Sequence, residues 1–346
     1  MRRIGILTGG GDCPGLNAVI RGVTEKAYAC GIEVYGLYGG WRGAIEADGR
    51  LLTLDDVEGI QTIGGTILES SRTNVMKVEN GPEKVKATME KLGLEGIVAI
   101  GGDDTLGVAN KLRKMGMNMI GVPKTIDNDL SCTDYTFGFD TASNIVTDAL
   151  DRLHTTAKSH ARCIVVEIMG RHTGWIAIQA GLAGDAHITL LPEFPMSVDE
   201  ICNIIEKRKA AGKRYHVIAV AEGFEVEGGA DDAELGVDAF GNKLLLNKEI
   251  GKTLAEIIEK KTGVETRSVI LGHLQRGGDP SAFDRVLGLR LGIKAGELAA
   301  NKEYGNMVAL SSTEIIVADL DKAVTERKEV PEDLYECAKL LYKKYE

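Results

Sequence analysis

At 346 residues with 44% hydrophobic content, the chain is long enough for two domains with packed cores, which excludes a disordered or fibrous protein. Its 41 Lys and Arg against 51 Asp and Glu leave a net charge of -10, a field that opposes general binding to nucleic acid or to an acidic membrane, so any anionic ligand must be met by a local basic pocket. The longest stretch free of Asp, Glu, Lys and Arg runs from His172 to Gly184, about 13 residues where a membrane-spanning helix needs about 20. Met1-Arg2-Arg3 is followed by only a short apolar run before Thr8, which does not read as a signal peptide. The six cysteines are scattered without a C-x-x-C pair, so the expectation is a reduced, cytoplasmic protein with no zinc or redox dithiol.

In chain order, short apolar runs rich in β-branched residues predict strands at 4–7, 33–38, 97–100, 117–122, 163–168, 187–191, 217–221 and 268–271. They are apolar on both faces, as in parallel sheets covered by helices on both sides. Between them lie helical segments. Residues 16–29 and 106–114 follow two glycine corners. Ser197 and Glu200 form a capping box ahead of the face Val198, Ile201, Cys202 and Ile205, and Gly212 supplies the stop. Asn247 precedes Ile250, Leu254, Ile257 and Ile258, with Gly263 after them. Residues 225–241, rich in Gly, Asp and Glu, read as a surface excursion. Leu334, Cys337, Ala338 and Leu341 share a face of a C-terminal helix. The fold class that follows is α/β, doubly wound, with ligands at the carboxyl ends of the strands.

Three of those strand ends carry chemistry. Gly is 43 residues, about 12% of the chain against a usual 7%, and the glycines gather at such corners. The first strand runs into Gly9-Gly10-Gly11-Asp12-Cys13-Pro14-Gly15, where exposed backbone N–H groups at a helix start favour phosphate. The spacing matches neither a Rossmann fingerprint nor a P-loop, and alone it would serve equally as a tight turn. Cys13 reads as a small filler. The second corner, Gly101-Gly102-Asp103-Asp104-Thr105, puts two carboxylates where phosphate would be repelled unless one holds Mg²⁺; otherwise they cap the helix. The third, Pro123-Lys124-Thr125-Ile126-Asp127-Asn128-Asp129, offers a general base, a metal-associated carboxylate and a cation.

These corners, with Met169-Gly170-Arg171 and His273-Leu274-Gln275-Arg276-Gly277-Gly278, follow the order of motifs in the phosphofructokinases, and the chain resembles that family from about residue 4 to 305. The resemblance implies two doubly wound domains of the phosphofructokinase type: 1–138 with 275–325, holding the phosphoryl donor, and 139–274 with 326–346, holding fructose 6-phosphate. It implies Asp127 as the base that takes the proton of the sugar 1-hydroxyl, with Asp129 beside it, and Asp103 as the Mg²⁺ ligand. Gly11, Arg72, Gly102, Thr125 and Arg171 would surround the donor and the transferred group. Met169, Gly170 and Glu222 would grip the sugar, and His273 and Arg276 its 6-phosphate. Arg162 and Arg267 would reach that phosphate from a neighbouring subunit, in a homodimer or homotetramer with shared active sites.

Two departures bear on the donor. ATP-dependent bacterial members usually carry glycine where this chain has Asp104 and Lys124, and both replacements resemble the pyrophosphate-dependent branch. Aspartate adds bulk and charge where the α-phosphate of ATP would lie, while lysine supplies a cation to a compact tetra-anion. The resemblance therefore implies pyrophosphate as donor, with ATP as the rival and a noncatalytic phosphate or nucleotide sensor as the alternative from another class. The basic cluster of the allosteric bacterial enzymes is thinned: Arg21 and Lys213 remain, but Glu25, Leu54, His154 and Ala211 stand where cations are expected. A reversible, non-allosteric enzyme of glycolysis and gluconeogenesis is the expectation.

Overall fold

The computed structural model describes residues 2–226, 237, 239–241 and 249–345. In chain order its strands are β1 (Arg2–Thr8), β2 (Ile32–Leu37), β3 (Gly49–Leu52), β4 (Ile97–Gly101), β5 (Met119–Pro123), β6 (Cys163–Ile168), β7 (Ile188–Leu190), β8 (His216–Ala221), β9 (Thr266–Ile270), β10 (Asn306–Ser311) and β11 (Glu314–Asp319). The chain forms two compact units, Met1–Thr141 with Arg276–Lys328 and Ala142–Gln275 with Glu329–Glu346.

The first unit is built on a mixed sheet in the order β11-β10-β5-β4-β1-β2-β3. Strands β1, β4 and β5 are parallel neighbours, with Thr8 beside Ile100 and Ile100 beside Val122. Their carboxyl ends therefore finish at one level. The strand order reverses between β1 and β4, the switch point at which open α/β sheets bind ligands. Strand β3 and the antiparallel hairpin β10–β11 were not among the expected strands: β3 has only four residues, whereas residues 307–310 of β10 and 315–318 of β11 are apolar runs like those read as strands elsewhere, and they lack a glycine corner after them.

Part of the glycine excess serves packing rather than loops. The helices Leu16–Ala29 and Ala282–Asn301 cross through Gly22, Gly288, Gly292 and Gly296. A Cβ on Gly22 would lie 2.4 Å from the carbonyl oxygen of Leu289, so these backbones touch only because side chains are missing. At the start of the second helix Asp284 is fully buried, and its Oδ2 accepts from the backbone N–H and hydroxyl of Thr141. Burial is the main cause that pushes this carboxyl up to about 6.

The sign of that shift makes a prediction. A carboxyl raised above its unfolded value near 3.8 holds its proton longer in the folded state, so its contribution to stability is lost as pH rises from about 4 to 6. The imidazoles of the half-buried His187 and the buried His216, lowered by desolvation to about 3 and about 4, act oppositely, destabilising as pH falls below about 6.5. A comparison with Asp284→Asn separates the two. The variant keeps an acceptor for Thr141 and is expected to gain Tm relative to the parent between pH 4.5 and 7 in thermal unfolding. A constant Tm difference over that range would contradict the assignment.

The second unit has a parallel sheet in the order β7-β8-β6-β9. Its core joins Val165, Ile188, Ile201, Ile205, Ile218, Val220, Leu254 and Ile258. The helix Val198–Ala210 begins at the capping box of Ser197 and Glu200 and buries Val198, Ile201, Cys202 and Ile205, as its pattern predicts. The helix Ile250–Thr262 starts after Glu249, while Asn247 lies outside the described residues, as does most of the 225–241 excursion. The C-terminal helix Glu332–Tyr342 corrects the expected face. It buries Tyr335, Ala338 and Tyr342, whereas Cys337 and Leu341 are exposed. The aromatic rings offer more apolar area than the aliphatic stripe: Tyr335 stacks on Phe194 at 4.1 Å, and Tyr342 joins the core.

Candidate active site

In the first unit the three corners meet. Gly9 N–H donates to the carbonyl of Ile100 at the end of β4 (2.9 Å), and Lys124 N–H to that of Gly101 (3.0 Å). Lys124, buried at 5% exposure, turns its ammonium back to the first loop and donates to the carbonyl oxygen of Gly11 at 2.5 Å. Gly10 is held from the other side, its N–H donating to the carbonyl of Ser71 at 3.0 Å. The exposed Arg72 follows Ser71 directly and so belongs to this loop cluster. Gly102 starts the helix Asp103–Lys114, with Asp103 and Asp104 in its first turn, and Asp103 Oδ1 accepts from the backbone N–H of Asp104 at 2.8 Å. A carboxylate there lies at the positive end of the helix dipole.

The third corner is the most enclosed. Asp127 is 6% exposed; its Oδ2 accepts from the Thr125 hydroxyl at 3.1 Å, and its N–H donates to the same hydroxyl oxygen at 3.1 Å. Asn128 adopts a left-handed conformation with φ 52°, and its Oδ1 accepts from the backbone N–H of Thr136 at 3.0 Å. A carboxylate locked in this way can accept a proton without the loop rearranging, as a base requires. Cys13 is buried and its thiol is raised far out of the reactive range by burial, in keeping with a filler.

In the second unit the carboxyl ends of β6, β8 and β9 gather another group of predicted residues. Gly170 and Arg171 take positive φ, 153° and 52°, and the buried Glu222, just past β8, accepts from both N–H groups at 3.1 and 2.8 Å. Such a strained turn persists because the carboxylate satisfies both donors. His273 stands exposed in the turn Gly272–Arg276 that follows β9.

Arg162 and Arg267 lie elsewhere in that unit. Arg162 precedes β6, Arg267 pairs with Ile164 near its start, and the two share Glu265 at 3.1 and 2.8 Å. From Arg162 to Met169 the chain runs seven residues along the strand, about 23 Å. The two arginines thus sit at the opposite end of the sheet from Gly170, Glu222 and His273. Arg276, grouped with His273 by sequence, belongs to the first unit, where its guanidinium lies against Gly11: a Cβ there would meet Nη1 at 2.2 Å.

Three residues were given no role by sequence. Gln275, inside the H-x-Q-R-G-G motif, accepts from Met169 N–H (3.2 Å) and donates to the Gly272 carbonyl (3.1 Å), linking the β6 and β9 turns. Glu193, its carboxyl raised mainly by burial, accepts from Gly174 N–H just past the Met169-Gly170-Arg171 turn, and from Val330. Lys328 fastens the third corner. The motif context signalled Gln275; a lone Glu and a Lys within Glu326-Arg327-Lys328-Glu329 look like solvated surface in sequence.

The second unit also holds a cavity of about 740 Å³ at the amino ends of its strands, lined among others by Lys158, His187, Arg208, Lys213, Arg214 and Lys344. Lys213, one of the two cations left from the regulatory cluster, opens into it. Among the described residues no three of His, Cys, Asp and Glu converge as a metal cage. No described helix is long and apolar enough to cross a membrane.

Glycine loops and ordered carboxylates at the switch point of a doubly wound sheet, with a cation reaching across them, define a phosphoryl-transfer site. The family model described as Phosphofructokinase matches residues 3–299, and the chain belongs to that family. It is a phosphofructokinase enzyme acting on fructose 6-phosphate. It is 53% identical to a pyrophosphate--fructose 6-phosphate 1-phosphotransferase of Amycolatopsis methanolica over 98% of this chain and 99% of the relative. It is also 48% identical to ATP-dependent 6-phosphofructokinase 3 of Streptomyces coelicolor, over 96% of this chain and 98% of the relative. The T-state crystal structure of Pichia pastoris phosphofructokinase superposes with a TM-score of 0.79 at 30% identity, over 93% of this chain and 35% of that one.

Proposed function

We propose that the enzyme transfers a phosphoryl group from pyrophosphate to the 1-hydroxyl of fructose 6-phosphate, reversibly and without allosteric control. The observation that carries the donor assignment is the presence of two side chains at neighbouring corners: Asp104 in the first turn of its helix, and the buried Lys124 whose ammonium donates to the Gly11 carbonyl. A carboxylate about 4 Å from an α-phosphate, at an effective dielectric near 20, opposes it by roughly 4 kcal/mol per unit charge before desolvation, whereas pyrophosphate has no third phosphate to place there. The 53% identity to a pyrophosphate-using relative supports this reading, and the 48% identity to an ATP-using one keeps ATP as the rival.

In this mechanism Asp127 accepts the proton of the 1-hydroxyl as that oxygen bonds to the transferred phosphorus and the bond to the departing phosphate breaks. Thr125 keeps the carboxylate aimed, and Asp129 adds negative charge beside it. Gly11, Arg72, Gly102 and Lys124 hold the donor, and Arg171 offsets charge on the transferred group. Met169, Gly170 and Glu222 hold the sugar; His273 and Arg276 meet its 6-phosphate. The residues fit Mg²⁺: Asp103 offers a helix-start carboxylate, and magnesium favours one or two carboxylates plus phosphate oxygens. When bound, the ion would neutralise donor charge. Steady-state kinetics with each donor test the proposal, which requires kcat/KM for pyrophosphate to exceed that for ATP by about a hundredfold or more.

We further propose that Arg162 and Arg267 serve the site of a neighbouring subunit, supported by their position at the amino end of the sheet in their own chain. Arg162→Ala is expected to raise KM for fructose 6-phosphate about 10- to 100-fold, the worth of a charge-assisted contact, and to leave KM for the donor within a few-fold. Mixing Arg162→Ala with inactive Asp127→Asn protein should restore activity. Absence of complementation despite subunit exchange, shown by mass spectrometry, would contradict shared sites.

A further inference from the structure

We infer that Lys328 is a positioning residue for phosphoryl transfer: as the last residue of the first unit along the chain, it holds the 125–129 loop, and through that loop the carboxylate of Asp127, in working geometry. The inference rests on the reading of Asp127 as the base.

Three ammonium donors meet three acceptors. Lys328 Nζ donates to Asn128 Oδ1 at 3.0 Å, to the Thr133 carbonyl at 2.9 Å and to the Asp134 carbonyl at 2.8 Å. Its backbone N–H donates to the carbonyl of Asp129 at 2.9 Å, and Arg327 forms an antiparallel bridge with Leu130. One segment thus grips the loop by backbone and by side chain. The Asn128 amide oxygen it holds is also bonded by Thr136 N–H, and the Thr136 hydroxyl donates to the Thr125 carbonyl at 2.7 Å. Thr125 in turn carries Asp127. Lys328 therefore reaches the carboxylate through a continuous hydrogen-bonded chain.

Two features say why a lysine stands there. Asn128 has φ 52°, a left-handed conformation that asparagine adopts more readily than other side chains, and its side-chain oxygen is clamped from two sides, by Lys328 and by Thr136. A half-buried ammonium is also an expensive clamp. Burial lowers Lys328 to about 8 although Asp134 and Asp129 oppose that shift, whereas an apolar residue would have avoided the desolvation. Arginine could not offer three converging donors from one atom. What the ammonium supplies is the fixed path of residues 128–134, and a displacement near 1 Å at a reacting group can cost about a hundredfold in rate.

The test is steady-state kinetics of Lys328→Met, Lys328→Arg and Asn128→Gly, each also in the Asp127→Asn background. Asn128→Gly removes the bridging oxygen while permitting the left-handed backbone, and it decides the question if Lys328→Met does not fold. Expected is a fall in kcat of about 10- to 100-fold for Lys328→Met and Asn128→Gly, with KM for fructose 6-phosphate changed less than about threefold, and partial recovery of kcat in Lys328→Arg. In the Asp127→Asn background the same substitutions should lower kcat by less than about threefold, because the group they aim is already gone. A kcat within twofold of the parent in folded variants, or the same loss in both backgrounds, overturns the inference. Failure of the base assignment is read separately, from Asp127→Asn alone keeping activity within a few-fold of the parent.

Discussion

Asp127→Asn should lower kcat by about 10²- to 10⁴-fold, the range for loss of a general base, while Tm and the affinity for fructose 6-phosphate stay near those of the parent. The structure makes asparagine the better probe than alanine. Its amide oxygen can still accept from the Thr125 hydroxyl that now bonds Asp127 Oδ2, and the backbone bond from residue 127 to the same hydroxyl survives. What disappears is a carboxylate able to take the proton from the sugar. Asp127→Ala removes the acceptor as well, so it should lose similar activity with somewhat lower stability, on the order of 1 kcal/mol for one hydrogen bond. Calorimetric titration with fructose 6-phosphate beside single-turnover kinetics separates the effects. Turnover within a few-fold of the parent in either variant would remove Asp127 from the role of base.

The donor-site pair should give the second large effect. Asp104→Gly removes bulk and charge from the first turn of the helix and is expected to admit ATP, raising kcat/KM for it at least tenfold. Lys124 has two roles, since its ammonium also holds the Gly11 carbonyl from a buried position. Lys124→Gly therefore removes a cation and loosens the first loop, whereas Lys124→Met removes the charge and keeps the packing. Both should lose pyrophosphate activity, by about 10- to 200-fold for one charge-assisted contact, and the glycine variant should lose more. The double change Asp104→Gly with Lys124→Gly should move preference furthest toward ATP, and the effects should not add, because both side chains meet one ligand. Unchanged ATP use in Asp104→Gly at saturating Mg²⁺, with fructose 6-phosphate binding preserved, would contradict the assignment.

The buried parallel strands were legible because an apolar run bounded by glycine has few other interpretations. Strand β6 falls at Cys163–Ile168 as its run predicts, and the corners after β1, β4 and β5 follow from the same pattern. Less legible were elements whose residues face both solvent and core. The β11 run at residues 315–318 is apolar yet lies largely exposed on an edge, and the C-terminal helix buries tyrosines beside Ala338 rather than its whole aliphatic stripe. At the site, motif residues could be named from their order, but their partners depend on long-range contacts. Glu265 beneath both Arg162 and Arg267, Arg276 against Gly11, and Lys328 on a loop 200 residues earlier all need the fold. A charged residue on a lone surface-like segment carries no local sign of such a task.

The central claim is direct, reversible transfer between pyrophosphate and fructose 6-phosphate, and phosphorus NMR of the purified protein reads it in one tube. With fructose 6-phosphate, pyrophosphate and Mg²⁺, the pyrophosphate resonance should fall as inorganic phosphate and the new 1-phosphate of the bisphosphate grow in equal amounts. Adding fructose 1,6-bisphosphate and phosphate should regenerate pyrophosphate. Turnover that appears only when ATP is supplied, with the pyrophosphate signal unchanged, would contradict the account.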